Sequence, residues 1–498
     1  MASSAVRRVV LSGATAALLA GPTVLAFFAG GYFEQPSLWA GLLACVLVAV
    51  AAVSVRAGLP RGRAAALAIG GLAALAAWAL LSTAWAPIKG DAYQAGQQAV
   101  LYLAVLVAAA LLLQGRGAMR AVEPALAAGA LVVIGYGVSE RLAPGVLHFA
   151  RSVSAEGRLE QPLTYWNAMG ELAAIGLVLI ARIGGDGARP RLERSLASAA
   201  APLLGLGLYL SFSRGALFAC AAGLVTLIVA APRREQLEAI LHAVAAGVVA
   251  SVFASRWRGV TALGGSLSTR EHQGLIMLLV LVALAVLMGA VRWWRCRREQ
   301  PAPLHLPAHA PAITLAVIVV GLALAIVVGN QESSRQSQSL SSGTSRLVTL
   351  RSNRYAYWRV ALRAFGDEPL RGVGAGGWSV YWLRDRTVFE AAQDAHSLPL
   401  QTAAELGVVG LALLAAFLAG VALAAVRAVR VEPVLAAGPV AGVVVYIAHA
   451  PLDWDWQMPA LTLVAMVLAG ALLALSGRDA QRPDRDAAPA SAEVATPA

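Results

Sequence analysis

The chain has 498 residues, of which 59% are hydrophobic and only 13% charged, with a mean hydropathy of +0.69. A water-soluble domain of this length cannot hide so much apolar surface, so composition excludes that class and points to many runs of about 20 apolar residues, each able to cross a hydrocarbon core about 30 Å thick. The formal net charge of +12 is no nucleic-acid face, because Lys89 is the only lysine and the arginines sit in short clusters between apolar runs, as in the inner loops of membrane proteins.

The N-terminal stretch "VRRVVLSGATAALLAGPTVLAFF" has the basic-then-apolar layout of a signal peptide. Its apolar run is long and further spans follow, so it reads as a retained first helix. Periodicity then predicts an all-α polytopic membrane protein with about 12–14 transmembrane helices, drawn as spans near 9–29, 38–55, 64–82, 96–113, 121–139, 166–181, 195–212, 215–231, 236–254, 273–291, 311–329, 398–426, 433–450 and 457–476. With Arg7 and Arg8 inside, every second loop falls on the same side. Those loops hold Arg56/Arg61/Arg63, Arg116/Arg120, Arg182/Arg189/Arg191/Arg194, Arg233/Arg234, Arg292/Arg295/Arg297/Arg298 and Arg427/Arg430. The opposite loops before residue 329 are poorer in basic residues, with Arg256, Arg258 and Arg270 as an exception. Both termini then face the cytoplasm.

The chain divides accordingly into N-terminal spans (1–329), a long external loop (330–397), C-terminal spans (398–476) and a cytoplasmic tail (477–498). The tail, "GRDAQRPDRDAAPASAEVATPA", has no periodic apolar face and is expected to be disordered. The three cysteines, Cys45, Cys220 and Cys296, show neither metal-ligand spacing nor a disulfide framework.

Two external segments are long enough to be functional. The first is "ERLAPGVLHFARSVSAEGRLEQPLTY" (140–165). The second, 330–397, opens on a Ser/Gln-rich linker and then organises. In "SNRYAYWRVALRAFGDEPLRG", Tyr355, Trp358, Leu362 and Phe365 recur at helical spacing and predict one apolar arc, on a helix lying against the membrane surface or the bundle. Arg354 borders the arc on one side, and Arg359 and Arg363 flank the other. Pro369 and Gly372, Gly374, Gly376 and Gly377 break the helix. The glycines have no strand–loop–helix context for phosphate binding and read as a tight turn.

Arg214, in "LYLSFSRGALFAC", sits between two spans, where an arginine faces a cavity, snorkels or pairs. Arg158 and Arg354 fall on the same predicted side, also close to helix ends. Three guanidiniums at one depth with few carboxylates suit a diphosphate or a carboxylated glycan. Asp453 and Asp455, in "HAPLDWDWQMPA", have DxD spacing, which fits a metal site, pairing with external arginines, or simple capping of a turn; no further oxygen ligands stand out. His396, in "AAQDAHSLPLQTAAELG", is either an interfacial histidine or a base, since imidazole changes charge near neutral pH. Gln401, Glu405 and Gly407 follow it into the next span.

These stretches together resemble the O-antigen ligase and polymerase family of bacterial membrane glycosyltransferases. "NRYAYWRVALRAFGDEPLRGVGAGGW…DAHSLPLQTAAELGVVGLALL" is similar to the family's helix–Pro–GxG–loop–His–helix block, and "RLEQPLTYWNAMG" and "SFSRG" resemble two upstream motifs. The resemblance covers roughly residues 158 to 420. It departs at Ser397, where the family often has Asn. It implies a GT-C-like helical fold in the bacterial plasma membrane and a metal-independent, inverting glycosyl transfer on the external face, with no cofactor. The implied donor is a glycan linked through diphosphate to a polyprenol, and the acceptor is a glycan or a lipid or wall anchor. His396 takes the role of base, Arg354 and Arg214 stabilise the leaving diphosphate, and Arg158 and Arg359 are further binders. The alternative is a transporter or flippase of lipid-linked oligosaccharide or a small anion, which predicts charged or broken helices near the midplane; here the central spans are almost purely Ala, Leu, Val and Gly.

Overall fold

A computed structural model describes residues 4–56, 58–298, 302–320, 353–388 and 390–478. The Ser/Gln-rich linker, the end of the 311–329 span and the tail beyond 478 lie outside the described residues. Within them the chain is helical, with one isolated bridge between Arg233 and Pro303 and no strand. The helices are α1 (Ser4–Ala26), α2 (Glu34–Ser54), α3 (Arg63–Leu81), α4 (Lys89–Leu112), α5 (Arg116–Leu142), α6 (Trp166–Gly185), α7 (Arg191–Leu210), α8 (Arg214–Ala230), α9 (Arg234–Ser255), the single turn α10 (Arg258–Thr261) and α11 (Leu267–Arg295). Then come α12 (Ala310–Val320), α13 (Arg354–Asp367), α14 (Trp378–Asp385), α15 (Leu398–Val431), α16 (Pro433–His449) and α17 (Pro459–Ser476). Helices are what an apolar chain must form in lipid, where each backbone N–H and C=O needs a partner within its own segment. Their starts are locally encoded. Ser213 and Ser266 cap α8 and α11 through their hydroxyls, and α15, α16 and α17 carry proline in the first turn.

Among the described residues, ten helices are long and apolar enough to cross a membrane, fewer than the sequence predicts. The difference lies in α7, with charges in its first turn, and in α8, α12 and α16, which are described over fewer than 18 residues. α7, α8 and α16 all pack within the bundle beside full-length spans.

The connecting loops gather at two ends. At one, Arg7 Nε donates to the Ser54 carbonyl, Gln114 reaches Gly58, Arg116 pairs with Glu432, and Arg182 reaches the Val434 carbonyl. At the other, Trp85 Nε1 donates to the Gly372 carbonyl, Tyr32 to Gln393 Oε1, and Arg141 to the carbonyls of Gly157 and Val260. The arginine-rich loops singled out in the sequence thus collect together, apart from the segments 140–165 and 353–397.

α6 and α17 are almost wholly buried, whereas α2 and α11 leave most of their surface to lipid. Close crossings rest on small residues, because lipid gives apolar side chains no reason to prefer each other. A Cβ on Gly71 of α3 would stand 2.6 Å from the Phe417 backbone nitrogen of α15, and one on Gly420 would stand 2.2 Å from that of Ala68.

α13 packs on α15, so it rests on the bundle. Its buried face differs from the predicted arc. Tyr355 and Trp358 are buried as expected, but Tyr357, Val360, Ala361 and Ala364 join them and Leu362 is 55% exposed. The stacked rings of Trp378 and Trp382 in α14 meet Tyr357 edge-on, at 6.0 and 4.8 Å between centroids, and this aromatic contact turns the helix away from the arc that spacing alone defines.

Candidate active site

The loop before α15 holds His396 in a left-handed conformation, φ +52°, which a β-carbon disfavours and the surroundings must enforce. Gln401, one turn into α15, enforces it. Its side-chain oxygen accepts from the Ala395 amide at 3.2 Å and its nitrogen donates to Asp394 Oδ1 at 2.8 Å. On the other side, the Leu398 amide donates to the Ala450 carbonyl at 2.9 Å. The ring lies between Tyr357 and Trp454, at 5.0 and 5.8 Å, and is half-buried. Nδ1 stands 2.9 Å from the Asp394 carbonyl oxygen. A carbonyl only accepts, so Nδ1 carries the hydrogen and a neutral ring leaves Nε2 with its lone pair.

Arg354, the first residue of α13, reaches Asp453 Oδ2 at 2.5 Å, with the arginine side chain 24% exposed and the aspartate fully buried. Tyr165 donates to Asp453 Oδ1 at 2.6 Å, Asn167 donates to the Tyr165 hydroxyl at 2.7 Å, and the Trp454 amide completes the cradle at 3.0 Å. Burial, the largest single influence, works against ionisation of Asp453, but the Arg354 charge, the two nearby histidines and the Tyr165 hydrogen bond together outweigh it and hold the carboxyl below its ordinary value. For Asp394, burial raises the carboxyl above the ordinary value, against the Gln401 hydrogen bond and the nearby His396.

Of the other candidate arginines, Arg214 opens α8 and is half-buried. Its neighbour Gly215 packs on the ring of His449, where a Cβ would come within 2.9 Å of Nε2. Arg158 is buried, with its guanidinium 3.6 Å above the Trp166 ring and hydrogen bonds to the Ser154 and Ala155 carbonyls. Arg359 points to solvent from α13. The structure therefore brings His396 and Arg354 to one patch around Trp454 and Asp453, with Arg214 at its border through His449.

The glycine run is more than a turn. Gly372 and Gly374 take positive φ and run along α15, where Val373 and Gly374 donate to the carbonyls of Ala404 and Glu405 at 3.0 and 2.8 Å. A Cβ on Gly372 would stand 2.2 Å from the Glu405 backbone. α15 is itself broken at Gly407, φ +66° and ψ −164°, and the Val408 amide donates instead to the Pro369 carbonyl at 2.9 Å. Irregular backbone inside a membrane bundle persists where protein buries it and supplies such partners. Below His396, Gln98, Gln401, Thr402, Glu405, Trp454 and Trp456 help to line a cavity of about 50 Å³, polar enough and large enough for water.

Two residues that sequence reasoning passed over stand just beneath this patch. Glu171 in α6 and His449 at the end of α16 are both fully buried and meet at 2.8 Å, with Asp455 at 2.8 Å from the same histidine nitrogen. The DxD spacing is thus split, one carboxylate to Arg354 and the other to His449. A lone Glu at the sixth position of an apolar span, "WNAMGE", was the available signal, since an ionisable residue in a span marks a function or a partner.

Residues 259–415 match the family model described as O-antigen ligase. That segment includes Arg354, Arg359 and His396, while Arg158, Arg214 and Asp453 lie outside it. A search of curated proteins found no match. The chain is a polytopic all-α membrane protein, and the O-antigen ligase family that its residues 259–415 match is a family of enzymes.

Proposed function

We propose that the enzyme transfers a glycan from a polyprenyl-diphosphate donor to an acceptor hydroxyl by single displacement with inversion, on the external face of the plasma membrane. The observation that carries the reading is the presentation of His396, with Nδ1–H tied to a backbone carbonyl, Nε2 left to accept a proton, and the Arg354 guanidinium on the same patch. The acceptor oxygen attacks the anomeric carbon and forms the new glycosidic bond as its proton passes to His396 Nε2. The bond from that carbon to the diphosphate oxygen breaks, and polyprenyl diphosphate leaves with its electron pair. Arg354, partly exposed and already oriented by Asp453, stabilises the developing charge, with Arg214 as the second cation and Arg158 and Arg359 as outer binders. The polyprenol lies between helices, and α13 and α14 cover the glycan.

Reconstitution of the full chain with a polyprenyl-diphosphate oligosaccharide and a hydroxyl acceptor tests this. The expected products are the transferred glycan, inverted at the anomeric carbon, and free polyprenyl diphosphate, with turnover surviving EDTA. Retention of configuration, or metal-dependent turnover, would sink the mechanism. The external face is tested by a single cysteine at exposed Leu362 in a chain freed of its native cysteines. It should react with an impermeant thiol reagent in intact cells, and labelling only after lysis rejects that placement.

A further inference from the structure

Glu171, His449 and Asp455 form a fully buried ionisable cluster that the proposed mechanism does not use. Their nearest nitrogen and oxygen atoms lie within 4.8 Å of one another. His449 Nδ1 makes an aligned hydrogen bond to Asp455 Oδ2 at 2.8 Å. Glu171 Oε2 is as close to that nitrogen, but among the described residues no donor N–H or O–H is aligned on either Glu171 oxygen. Among the described residues the polar neighbours include Thr462 and the phenols of Tyr446 and Tyr102, none of them cationic, and the charges further out are Asp453, Arg354 and Arg214, whose neighbour Gly215 packs on the His449 ring.

One imidazole cannot balance two carboxylates here. With both carboxylates ionised, a neutral His449 leaves the cluster two uncompensated charges and an imidazolium still leaves one, and an unpaired buried ion is strongly disfavoured. A divalent metal would balance the count, but ligand atoms around a tetrahedral ion with bonds of about 2.0–2.1 Å stand about 3.3 Å apart. The observed 2.8 Å is a hydrogen-bond length and points to protons. Glu171, with no aligned partner, is the group to carry the extra one.

The cluster also has a place in the site. Asp455 is fixed a second time, because its backbone carbonyl accepts from Thr462 Oγ1 at 2.7 Å. Two residues earlier in the same turn, Asp453 holds Arg354, and the Ala450 carbonyl holds the Leu398 amide just beyond His396. We propose that Glu171 is stored as a neutral carboxylic acid against the His449–Asp455 pair, and that the three are positioning residues that lock the 449–458 turn on which both Arg354 and His396 depend. The role rests on the reading of Arg354 as the donor's binder.

Infrared difference spectra of the full-length protein, wild type minus Glu171→Gln, should show a carboxylic-acid carbonyl band that the variant lacks. In reconstituted transfer, Asp455→Asn and His449→Gln should each lower turnover by about 10- to 100-fold, the cost of misplacing a site by about 1 Å, and raise the donor KM. Glu171→Ala should fall by a similar factor, and Glu171→Gln, a neutral isostere of the acid, should recover most of the loss. A merely structural carboxylate would give no such recovery. The proposal is overturned by absence of the band, by a Glu171→Gln defect equal to that of Glu171→Ala, or by one equivalent of divalent metal in the purified protein that His449→Gln releases. Should Arg354→Ala leave donor affinity intact, the donor-site reading fails, whereas the infrared result still decides the protonation of Glu171.

Discussion

At the end of the bundle that collects the arginine-rich loops, Glu123 lies 3.9 Å from Arg182 and 2.7 Å from Arg189, and Asp186 closes the group at 3.3 and 3.5 Å. Each of these side chains is 10% exposed or less, and Gly438 lacks the side chain that would strike Glu123. At the opposite end, Arg354 also meets a buried carboxylate, yet it keeps 24% of its side chain exposed beside a histidine held at φ +52°. Both groups pair arginine with carboxylate. The first is closed, being withdrawn from solvent apart from Glu193, a third carboxylate that reaches Arg189 at 3.2 Å, and it ties α5, α6, the loop before α7 and the start of α7 together. The second is open and strained, and those two properties, which ion pairing alone does not supply, are why the proposed binding site is put there.

The sharpest way to break this comparison is to remove the strained group. His396→Ala should lower turnover by about 10² to 10⁴-fold with donor affinity nearly intact, in the reconstituted assay at matched expression. Near-normal transfer by that variant removes the base from the mechanism and leaves the two ends equivalent. Next in size is loss of the closed group. Glu123→Ala strips the carboxylate from two buried arginines, which should cost about 3–5 kcal/mol of stability and appear as a lower melting temperature in detergent. The kcat of the protein that remains folded should be unchanged; a selective loss of kcat would mean that the closed end also serves the chemistry.

Arg354→Ala should weaken donor binding roughly 10- to 100-fold, the equivalent of a hydrogen bond to a charged group at about 1.5–3 kcal/mol. Arg354→Lys should rescue only part, because an ammonium cannot make a two-pronged contact. Full rescue by lysine would make Arg354 a plain counter-ion of Asp453, like the arginines at the closed end. The smallest effect concerns pH. The Asp453 carboxyl is held below its ordinary value of 3.8, so its contribution to stability is complete above that value and is lost as pH falls through the lower folded value. Wild type should therefore lose melting temperature below about pH 4 more steeply than Asp453→Asn. Parallel curves would show that the Arg354–Asp453 pair adds no pH-linked stability.

The family block was legible because its chemistry is local. Tyr355 to Gly377 and Asp394 to Gly407 are short runs in which an arginine-bearing helix, a glycine turn and a histidine before a span follow one another, and the structure packs the two runs against each other. Gln401 was singled out beside His396 and proves to be what holds the Asp394–His396 backbone. The second half of the site was not legible, because its residues lie far apart along the chain. Asp453 stands 99 positions from Arg354, and Tyr165 stands 288 positions from Asp453. Nor could one-dimensional spacing say which face of α13 would be buried, since Trp378 and Trp382 from the next helix compete for it. The glycines from 372 to 377 read as turn residues for their freedom in φ, while their lack of a side chain, which lets the loop lie on the α15 backbone, emerges only from that contact.

Taken alone, the sequence determined that this protein is a bundle of apolar helices, roughly where the apolar runs lie, and which loops are basic. Those properties depend on composition, periodicity and caps within about 20 residues, and lipid allows an apolar segment little other than a helix. Tertiary structure decided which charges are matched and which stay open. It set Arg354 on Asp453, left Arg158 stacked on Trp166 and bound to backbone carbonyls, and split Asp453 from Asp455 so that one meets Arg354 and the other a buried histidine. The physical reason is that the energy of a charge depends on its burial and its neighbours, and in a many-helix bundle those neighbours are supplied by helices far apart along the chain.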